Sequence, residues 1–209
     1  MMRKSILAFA AAGAAAVTFG ALHAQGGPAP ALPTHDVSKV TGGTYALDPN
    51  HTQVLYTYKH LGLTQNMGLL SGATGTLTLD PKSPNNAKLS VDVPVNTIHT
   101  TIAKLDEELV SAMFFDAAKF PTAHFESTKV SANGDKATIQ GNLTIHGVTK
   151  PATLHATFAS AGANPMSKKE SLGFQATGTI KRSDFGLGTA VPMVGDQVDL
   201  TITAGFEKQ

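Results

Sequence analysis

Hydrophobic and polar residues alternate along most of the chain from residue 44 onward. In one example, Leu143 and Ile145 alternate with Asn142 and Thr144. A period of two is typical of a β-strand that has one apolar face and one solvated face. The alternation predicts strands over 53–59, 76–79, 88–95, 138–145, 153–158, 172–181 and 198–207, and a weaker pattern adds 124–130.

Eight strands of this kind predict an all-β fold, either a closed antiparallel barrel or a sandwich. The stretch 101–115 departs from the pattern, because Ile102, Leu105 and Leu109 recur at helical spacing. That spacing predicts a short amphipathic helix between the third and fourth strands. Large apolar residues follow, and we expect them to pack inward: Met113, Phe114, Phe115 and Phe120.

Small residues on the predicted apolar faces allow two interpretations. They are Ala137, Gly141, Ala156, Ala176, Gly178 and Ala204. An eight-stranded barrel is just wide enough to be filled by side chains or to hold one ligand, so small inward residues could leave an apolar cavity. Glycine and alanine also permit tight bends and close packing. Composition favours neither interpretation.

The first residues resemble an export signal. Arg3 and Lys4 precede an uncharged, almost wholly apolar stretch over 5–22, which predicts a secretory signal peptide over 1–24 and export to the periplasm. A membrane anchor is the alternative, since 18 apolar residues are just long enough to span a bilayer. Residues 25–43 are rich in Pro, Gly and Ala and are interpreted as a flexible lead-in to a domain over 44–207.

Composition and motifs exclude several classes of protein. A net charge of +1 argues against nucleic-acid binding, and the absence of cysteine excludes disulfides, thiolate metal sites and a cysteine nucleophile. The eight histidines lack the spacing of a metal motif, and no nucleophile elbow, P-loop or dinucleotide fingerprint occurs. We therefore expect no metal, no cofactor and no catalytic residue, although antiparallel strands could still assemble a histidine site in space.

Two polar positions are candidates for contact with a ligand head group. His60 ends an apolar face, and it either contacts a head group or forms hydrogen bonds at a barrel rim. Arg182 either pairs with Asp184 to close a turn or recognises an anionic group.

Four segments, in this order, resemble the YceI-like family. They are 58–62 (YKHLG), 111–128 (which contains SAMFFD, KFP and FEST), 141–151 (GNLTIHGVTKP) and 182–186 (RSDFG). The resemblance covers 44–207. It implies an eight-stranded antiparallel lipocalin-like barrel of exported bacterial proteins, which binds a long isoprenoid or other lipid chain and is often a homodimer. This chain departs from the family in having Leu55, Tyr56 and Tyr58, where Ser and Phe are usual.

The leading hypothesis is a periplasmic protein, with no membrane anchor after signal cleavage, that encloses an isoprenoid, an isoprenoid quinone or a fatty-acyl chain for carriage or storage. A lipid- or quinone-modifying enzyme and a ligand-free interaction module are the alternatives. Besides His60 and Arg182, the predicted wall comprises Val54, Tyr56, Tyr58, Leu77, Val91, Met113, Phe114, Phe115, Phe120, Phe125, Leu143, Ile145, Phe158, Phe174, Ala176 and Ile180.

Overall fold

The fold is a β-barrel with one short α-helix among the described residues. A computed structural model describes residues 32–209; the predicted signal peptide and the start of the lead-in lie outside this range. The strands are β1 Gly43–Leu47, β2 Gln53–His60, β3 Thr64–Leu70, β4 Thr74–Leu79, β5 Lys88–Pro94, β6 Thr122–Asn133, β7 Lys136–Ile145, β8 Val148–Ala163, β9 Glu170–Lys181 and β10 Val194–Lys208. Helix α1, Ala103–Val110, connects β5 to β6.

The sheet closes into a ring of eight antiparallel rows. Strands β1 and β2 form one interrupted row, because both pair with β10, while β3 and β4 form the next row by pairing with β2 and β1 respectively. Strands β5 to β10 then follow in chain order. The prediction of an eight-stranded antiparallel barrel with one helix is therefore confirmed.

Sequence alternation misses β1 and β3 for different reasons. β1 has only five residues, which is too short for a clear period. β3 carries exposed Met67 and Leu69 on its outer face, whereas its inner face has Asn66 and the buried Gly68. The usual apolar-inside order is thus reversed at these positions, and no hydrophobic alternation appears.

The apolar core is divided between the two ends of the barrel. The first cluster lies where β8 and β10 end and comprises Tyr45, Leu47, Ala73, Phe158, Ala161, Leu172 and Phe206. The second cluster, Ile145, Phe185 and Leu187, lies at the opposite end beside the β7–β8 turn. Inward residues between the clusters, such as Leu200 and Ile139, are only half-buried. The two clusters therefore do not fill the barrel.

Helix α1 is shorter than the predicted stretch 101–115. It begins after Ile102, where the Asp106 carboxylate accepts hydrogen bonds from the Thr100 backbone N–H and hydroxyl, each at 2.6 Å. It ends at Val110, and the hydroxyl of the following Ser111 donates to the Glu108 carbonyl at 2.6 Å. Tight turns over 111–120 take the place of the last part of the predicted helix. No helix within residues 32–209 is long and apolar enough to cross a membrane.

The described part of the predicted lead-in contacts the barrel. Thr34 and Ala161 exchange two backbone hydrogen bonds of 2.9 Å, and Asp36 caps a short 3₁₀ helix over Val37–Lys39. The Thr41 N–H also donates to the Glu170 carboxylate at 2.8 Å. Residues 34–41 therefore belong to the folded structure, a correction to the interpretation of 25–43 as wholly flexible.

Candidate functional site: a cavity inside the barrel

An apolar cavity of about 850 Å³ occupies the interior of the barrel. This volume lies in the range of pockets that enclose small-molecule ligands. The lining runs from Pro84 and the β6–β7 turn at the first end to His60, Arg182 and Leu187 at the second. The cavity thus extends along the barrel axis, between and beside the two clusters.

The structure brings most of the predicted wall residues together. All of them except Met113 and Phe120 line the cavity, and His60 and Arg182 lie at its second end. Their role in binding a ligand stays a prediction. The alternating strands place them there because residues i and i+2 share one face of a sheet.

Met113 and Phe120 are corrections to the predicted wall. The Met113 side chain is 70% exposed, because the turn after α1 points it to solvent while Phe114 and Phe115 face inward. Phe120 packs outside the cavity, edge-to-face on His146 with ring centroids 4.7 Å apart. It covers Gly147 in the β7–β8 turn, where His146 and Gly147 both have positive φ.

Several wall residues were absent from the predicted set. From the strands these include Leu89, Ile139, Leu154, Val198, Leu200 and Ile202. Their alternation was visible in the sequence and would have identified them. The contributions of Leu105 and Leu109 from α1, and of Asn66 and Leu70 from β3, depend on the tertiary position of these elements. The helical spacing of Leu105 and Leu109 marks an apolar helix face but not where that face lies, and no local sequence signal marks Asn66 or Leu70 as wall residues.

The small inward residues serve both of the purposes that the sequence left open. A β-carbon at Gly178 would meet the Leu154 side chain at 2.8 Å, and one at Gly141 would meet the Glu126 carbonyl at 2.5 Å. These glycines permit close packing. Ala156 and Ala176 line the cavity, where larger side chains would occupy its volume.

Arg182 is held by backbone carbonyl groups. Its Nε donates to Gly195 at 2.9 Å, Nη2 donates to Val194 at 2.7 Å, and Nη1 donates to Thr189 at 2.8 Å and to Leu187. Four of its five N–H groups are therefore committed. Burial lowers the pKa of the Arg182 guanidinium, while Asp196 and Tyr58 oppose that change.

The predicted alternative for Arg182, a pair with Asp184, is wrong. The nearest carboxylate partner of this turn is Asp196, which accepts from the Ser183 N–H at 2.8 Å and from its hydroxyl at 2.7 Å. Arg182 thus ties the end of β9 to the connection over 187–193 and to the first two residues of β10.

Two tyrosines of β2 stack along the inner wall. The rings of Tyr56 and Tyr58 have centroids 6.3 Å apart and lie 11° from parallel. Tyr56 is buried, and its hydroxyl has no hydrogen-bond partner within residues 32–209. Burial raises the pKa of the Tyr56 hydroxyl, and the charges of Tyr58 and Asp106 raise it further, so the group is a neutral donor.

Charged pairs elsewhere lie outside this wall. Three of these pairs join a histidine to an aspartate. His99 lies 2.9 Å from Asp106, His124 lies 2.8 Å from Asp92, and His51 lies 2.7 Å from Asp48. None of these residues lines the cavity. In the part of the chain that the structure describes, no three His, Cys, Asp or Glu side chains are grouped as metal ligands.

Exposed apolar side chains concentrate at the second end of the barrel. In the described chain they are Leu61, Leu63, Met67, Leu69, Ile102, Met113, Val191 and Met193, with only Leu32, Val37 and Met166 elsewhere. Leu61 and Met193 are adjacent, since the Leu61 N–H donates to the Met193 carbonyl at 2.7 Å. The cavity therefore ends beside an apolar surface.

Comparison with known proteins places these features in a family. Residues 45–206 match the YceI-like domain. Protein YceI of Salmonella arizonae is 40% identical over 153 residues, which is 73% of this chain and 80% of that protein.

Two solved structures share the fold. Burkholderia cenocepacia BcnA superposes with a TM-score of 0.68 at 23% identity, covering 76% of this chain and 98% of that one. A polyisoprenoid binding domain from Saccharophagus degradans superposes with a TM-score of 0.57 at 13% identity, covering 79% and 98%. On the domain match and the identity to Protein YceI, this chain belongs to the YceI-like family.

Proposed function

We propose that this protein binds a long apolar lipid chain in its barrel and carries or stores it in the periplasm. The observation that carries the proposal is the 850 Å³ cavity, whose wall is formed mainly by Val, Leu, Ile, Phe and Ala. An apolar wall supplies affinity for a chain without needing many polar contacts. An isoprenoid, an isoprenoid quinone and a fatty-acyl chain all have the required character.

The hydrophobic effect is large enough to make this function effective. Each buried CH₂ group contributes about 0.8 kcal/mol, so ten such groups supply roughly 8 kcal/mol before the entropic cost of binding. The same hydrophobic free energy makes the free lipid chain nearly insoluble in water. A protein that encloses the chain therefore lowers the cost of moving it between membranes.

The relatives and the surface support the same proposal. One structural neighbour is named as a polyisoprenoid binding domain. The exposed apolar side chains at the second end, such as Leu61 beside His60 of the cavity wall, would contact a lipid tail that enters there. The sequence over 1–24 supports export and removal of the signal, which would leave the barrel without an anchor.

Binding is favoured over the alternative of lipid or quinone modification. The polar groups nearest the second end are hydroxyls, an amide, His60 and a guanidinium committed to backbone carbonyls. An enzyme of this class would be expected to place a residue with a shifted pKa against the reacting atoms, in a form that can transfer a proton. Among the residues that the structure describes, the two cavity residues with a shifted pKa are Tyr56, which stays a neutral phenol, and Arg182, whose guanidinium is held by backbone carbonyls. Loss of a measurable turnover in His60→Ala with lipid content retained would favour the enzyme.

The test is native mass spectrometry of residues 25–209 purified from a bacterial periplasm without detergent. We expect a discrete adduct that organic extraction releases and identifies as a prenyl or acyl chain. The same spectra report whether the protein is a homodimer, as the family resemblance implies. A bare mass that persists after incubation with quinones and polyprenyl lipids would contradict lipid binding and favour an interaction module.

A further inference from the structure

The barrel wall is incomplete on one side of its second end. Strand β3 pairs with β2 along its whole length, but on its other side it has a single bridge, between Leu69 and His99, in the part of the chain that the structure describes. Two backbone hydrogen bonds of 2.8 Å form that bridge. Residues i and i+2 of a strand direct their N–H and C=O groups to the same side, so those of Met67 and Gln65 face a position that no strand of the described chain fills.

The chain leaves the sheet directly after this bridge. If antiparallel pairing continued, Thr101 would lie opposite Met67. Instead, the Thr100 N–H and hydroxyl both donate to the Asp106 carboxylate at 2.6 Å, and the chain turns into α1. A gap is left between β3 and α1, which we call the seam.

Helix α1 borders the seam without being fixed to the strands. None of its residues is buried, and within the described chain its hydrogen bonds all join residues of the segment 99–117. Its side chains Leu105 and Leu109 line the cavity. Ile102, just before the helix, also lines the cavity although it is 55% exposed. The cavity therefore reaches the protein surface beside this helix.

The axial route out of the same end is closed more firmly. Phe185 and Leu187 are 2% and 7% exposed and pack with Ile145 in the second cluster. Arg182 holds the connection that carries Leu187 by donating to backbone carbonyls. Opening this route would expose the cluster and break those hydrogen bonds, whereas moving α1 exposes no buried residue of the helix. Segments with few buried contacts are the ones that open most readily.

We propose that a lipid enters and leaves the cavity sideways through the seam, with α1 as the lid that opens it. The inference rests on the proposed function and adds the route to the same cavity. Opening moves Leu105 and Leu109 away from the wall, while the two hydrogen bonds between His99 and Leu69 persist beside the hinge. The exposed side chains of Met67 and Leu69 keep an entering chain in apolar contact at the outer edge of the seam.

The test clamps each route in turn. Because the chain has no cysteine, paired cysteines can be introduced without competing thiols. Met67→Cys with Ala103→Cys joins β3 to the first residue of α1. Leu61→Cys with Met193→Cys joins the β2–β3 turn to the β9–β10 connection at the axial end, where the two residues are adjacent. A flexible bifunctional methanethiosulfonate reagent cross-links each pair, and a reducing agent removes the link.

The measured quantity is the rate of lipid transfer. Stopped-flow fluorescence follows cis-parinaric acid and retinol as they move from phosphatidylcholine vesicles to the delipidated protein. We expect the seam cross-link to slow uptake and release about tenfold each, because both directions share one barrier, and to leave the amount bound at equilibrium unchanged. Reduction should restore the rates. The matched cross-link at the axial end should keep the rates within about twofold of those of the reduced protein.

A variant without a cross-link provides an independent measurement. Asp106→Asn weakens the contact that turns the chain into α1, so uptake and release should both become about threefold faster. Glu107→Gln, an exposed change on the same helix, should keep the wild-type rates.

The outcomes separate the route from the function on which it rests. Rates that the seam cross-link leaves unchanged, a pair at positions 67 and 103 that does not cross-link, or equal slowing by both cross-links would overturn the seam as the route and leave lipid binding intact. Failure of the wild-type protein to take up either probe would overturn both proposals.

Discussion

Gly68 lies opposite Tyr56 in the β2–β3 ladder, and the Tyr56 ring occupies the space that a β-carbon at position 68 would need. A methyl group there would overlap the ring, so Gly68→Ala must displace Tyr56 from the wall. We expect a loss of about 1–3 kcal/mol in the free energy of unfolding, as is usual for overpacking. Chemical denaturation measures it. Gly188→Ala, where a β-carbon would make ordinary contacts, is the control, and equal stability of the two variants would contradict this packing.

Tyr56→Phe removes a buried hydroxyl that has no hydrogen-bond partner in the described chain, so it should have the opposite effect on the free energy of unfolding. Burying a hydroxyl without a partner costs free energy, so Tyr56→Phe should raise the free energy of unfolding by about 1 kcal/mol. Thermal and chemical denaturation of the delipidated protein provide the measurement. A destabilised variant would mean that the hydroxyl has a partner in solution, such as an ordered water.

Ala176 lines the cavity, and its side chain has room to grow inward. Ala176→Phe should fill the space that a lipid chain needs and reduce bound lipid at least tenfold, while circular dichroism shows an intact barrel. Thr177→Phe makes a comparable addition on the exposed outer face and should keep the wild-type lipid content. Undiminished lipid in Ala176→Phe would place the chain somewhere other than this part of the cavity.

Arg182 should act on stability more than on ligand binding. Arg182→Lys keeps the charge but cannot make four directed hydrogen bonds, so we expect a loss of about 3 kcal/mol and faster amide exchange over 187–195. Lys181→Ala, at the exposed residue before Arg182, should change neither the free energy of unfolding nor the amide exchange. Unchanged stability with loss of an anionic lipid would instead make Arg182 a head-group contact.

Helix α1 should loosen in acid. Hydrogen bonds from the Thr100 hydroxyl and backbone N–H hold the pKa of Asp106 below its usual range; desolvation opposes them, and the contact with His99 adds to the lowering. Because the folded pKa is the lower one, the stabilisation is complete above the unfolded value near 4 and is lost as the pH falls through the folded pKa. Amide exchange of Thr100 and α1 between pH 6 and pH 2 measures this.

At neutral pH, Asp106→Asn should reproduce part of the acid effect on α1, because the amide is uncharged and a weaker acceptor. Glu107→Gln, an exposed change of the same kind on the same helix, is the matched control. Exchange rates of α1 that stay constant down to pH 2 would show that another contact holds the helix.

Much of the barrel is readable from the sequence because burial on one face imposes a period of two. Leu143 and Phe174 were assigned to the wall by that period alone, and both lie on it. Pairing across strands carries no such local signal. The opposition of Tyr58 and Asn66 therefore appears only with the register, and β3 itself was missed because its apolar residues Met67 and Leu69 face outward.

Residues between regular elements are the least predictable part of the site. Met113 and Phe114 are adjacent and equally apolar, yet only Phe114 lines the cavity. The turn geometry after α1 decides between them. Likewise, the four carbonyls that hold Arg182 come from the connection after β9 and from the start of β10, whose path is set by tertiary contacts and not by composition.

Strand β10 pairs with β9, β2 and β1, and its pairing with β1 joins Tyr45 to Lys208. A contact between residues so far apart in sequence requires a long loop to close, which makes such contacts slow to form. The ring can therefore close only after β10 is available to pair with β1. Until that moment the inner faces of the other strands have no enclosed interior, and a chain that ends before Phe206 would expose to chaperones and proteases the apolar surface that lines the cavity of the closed barrel.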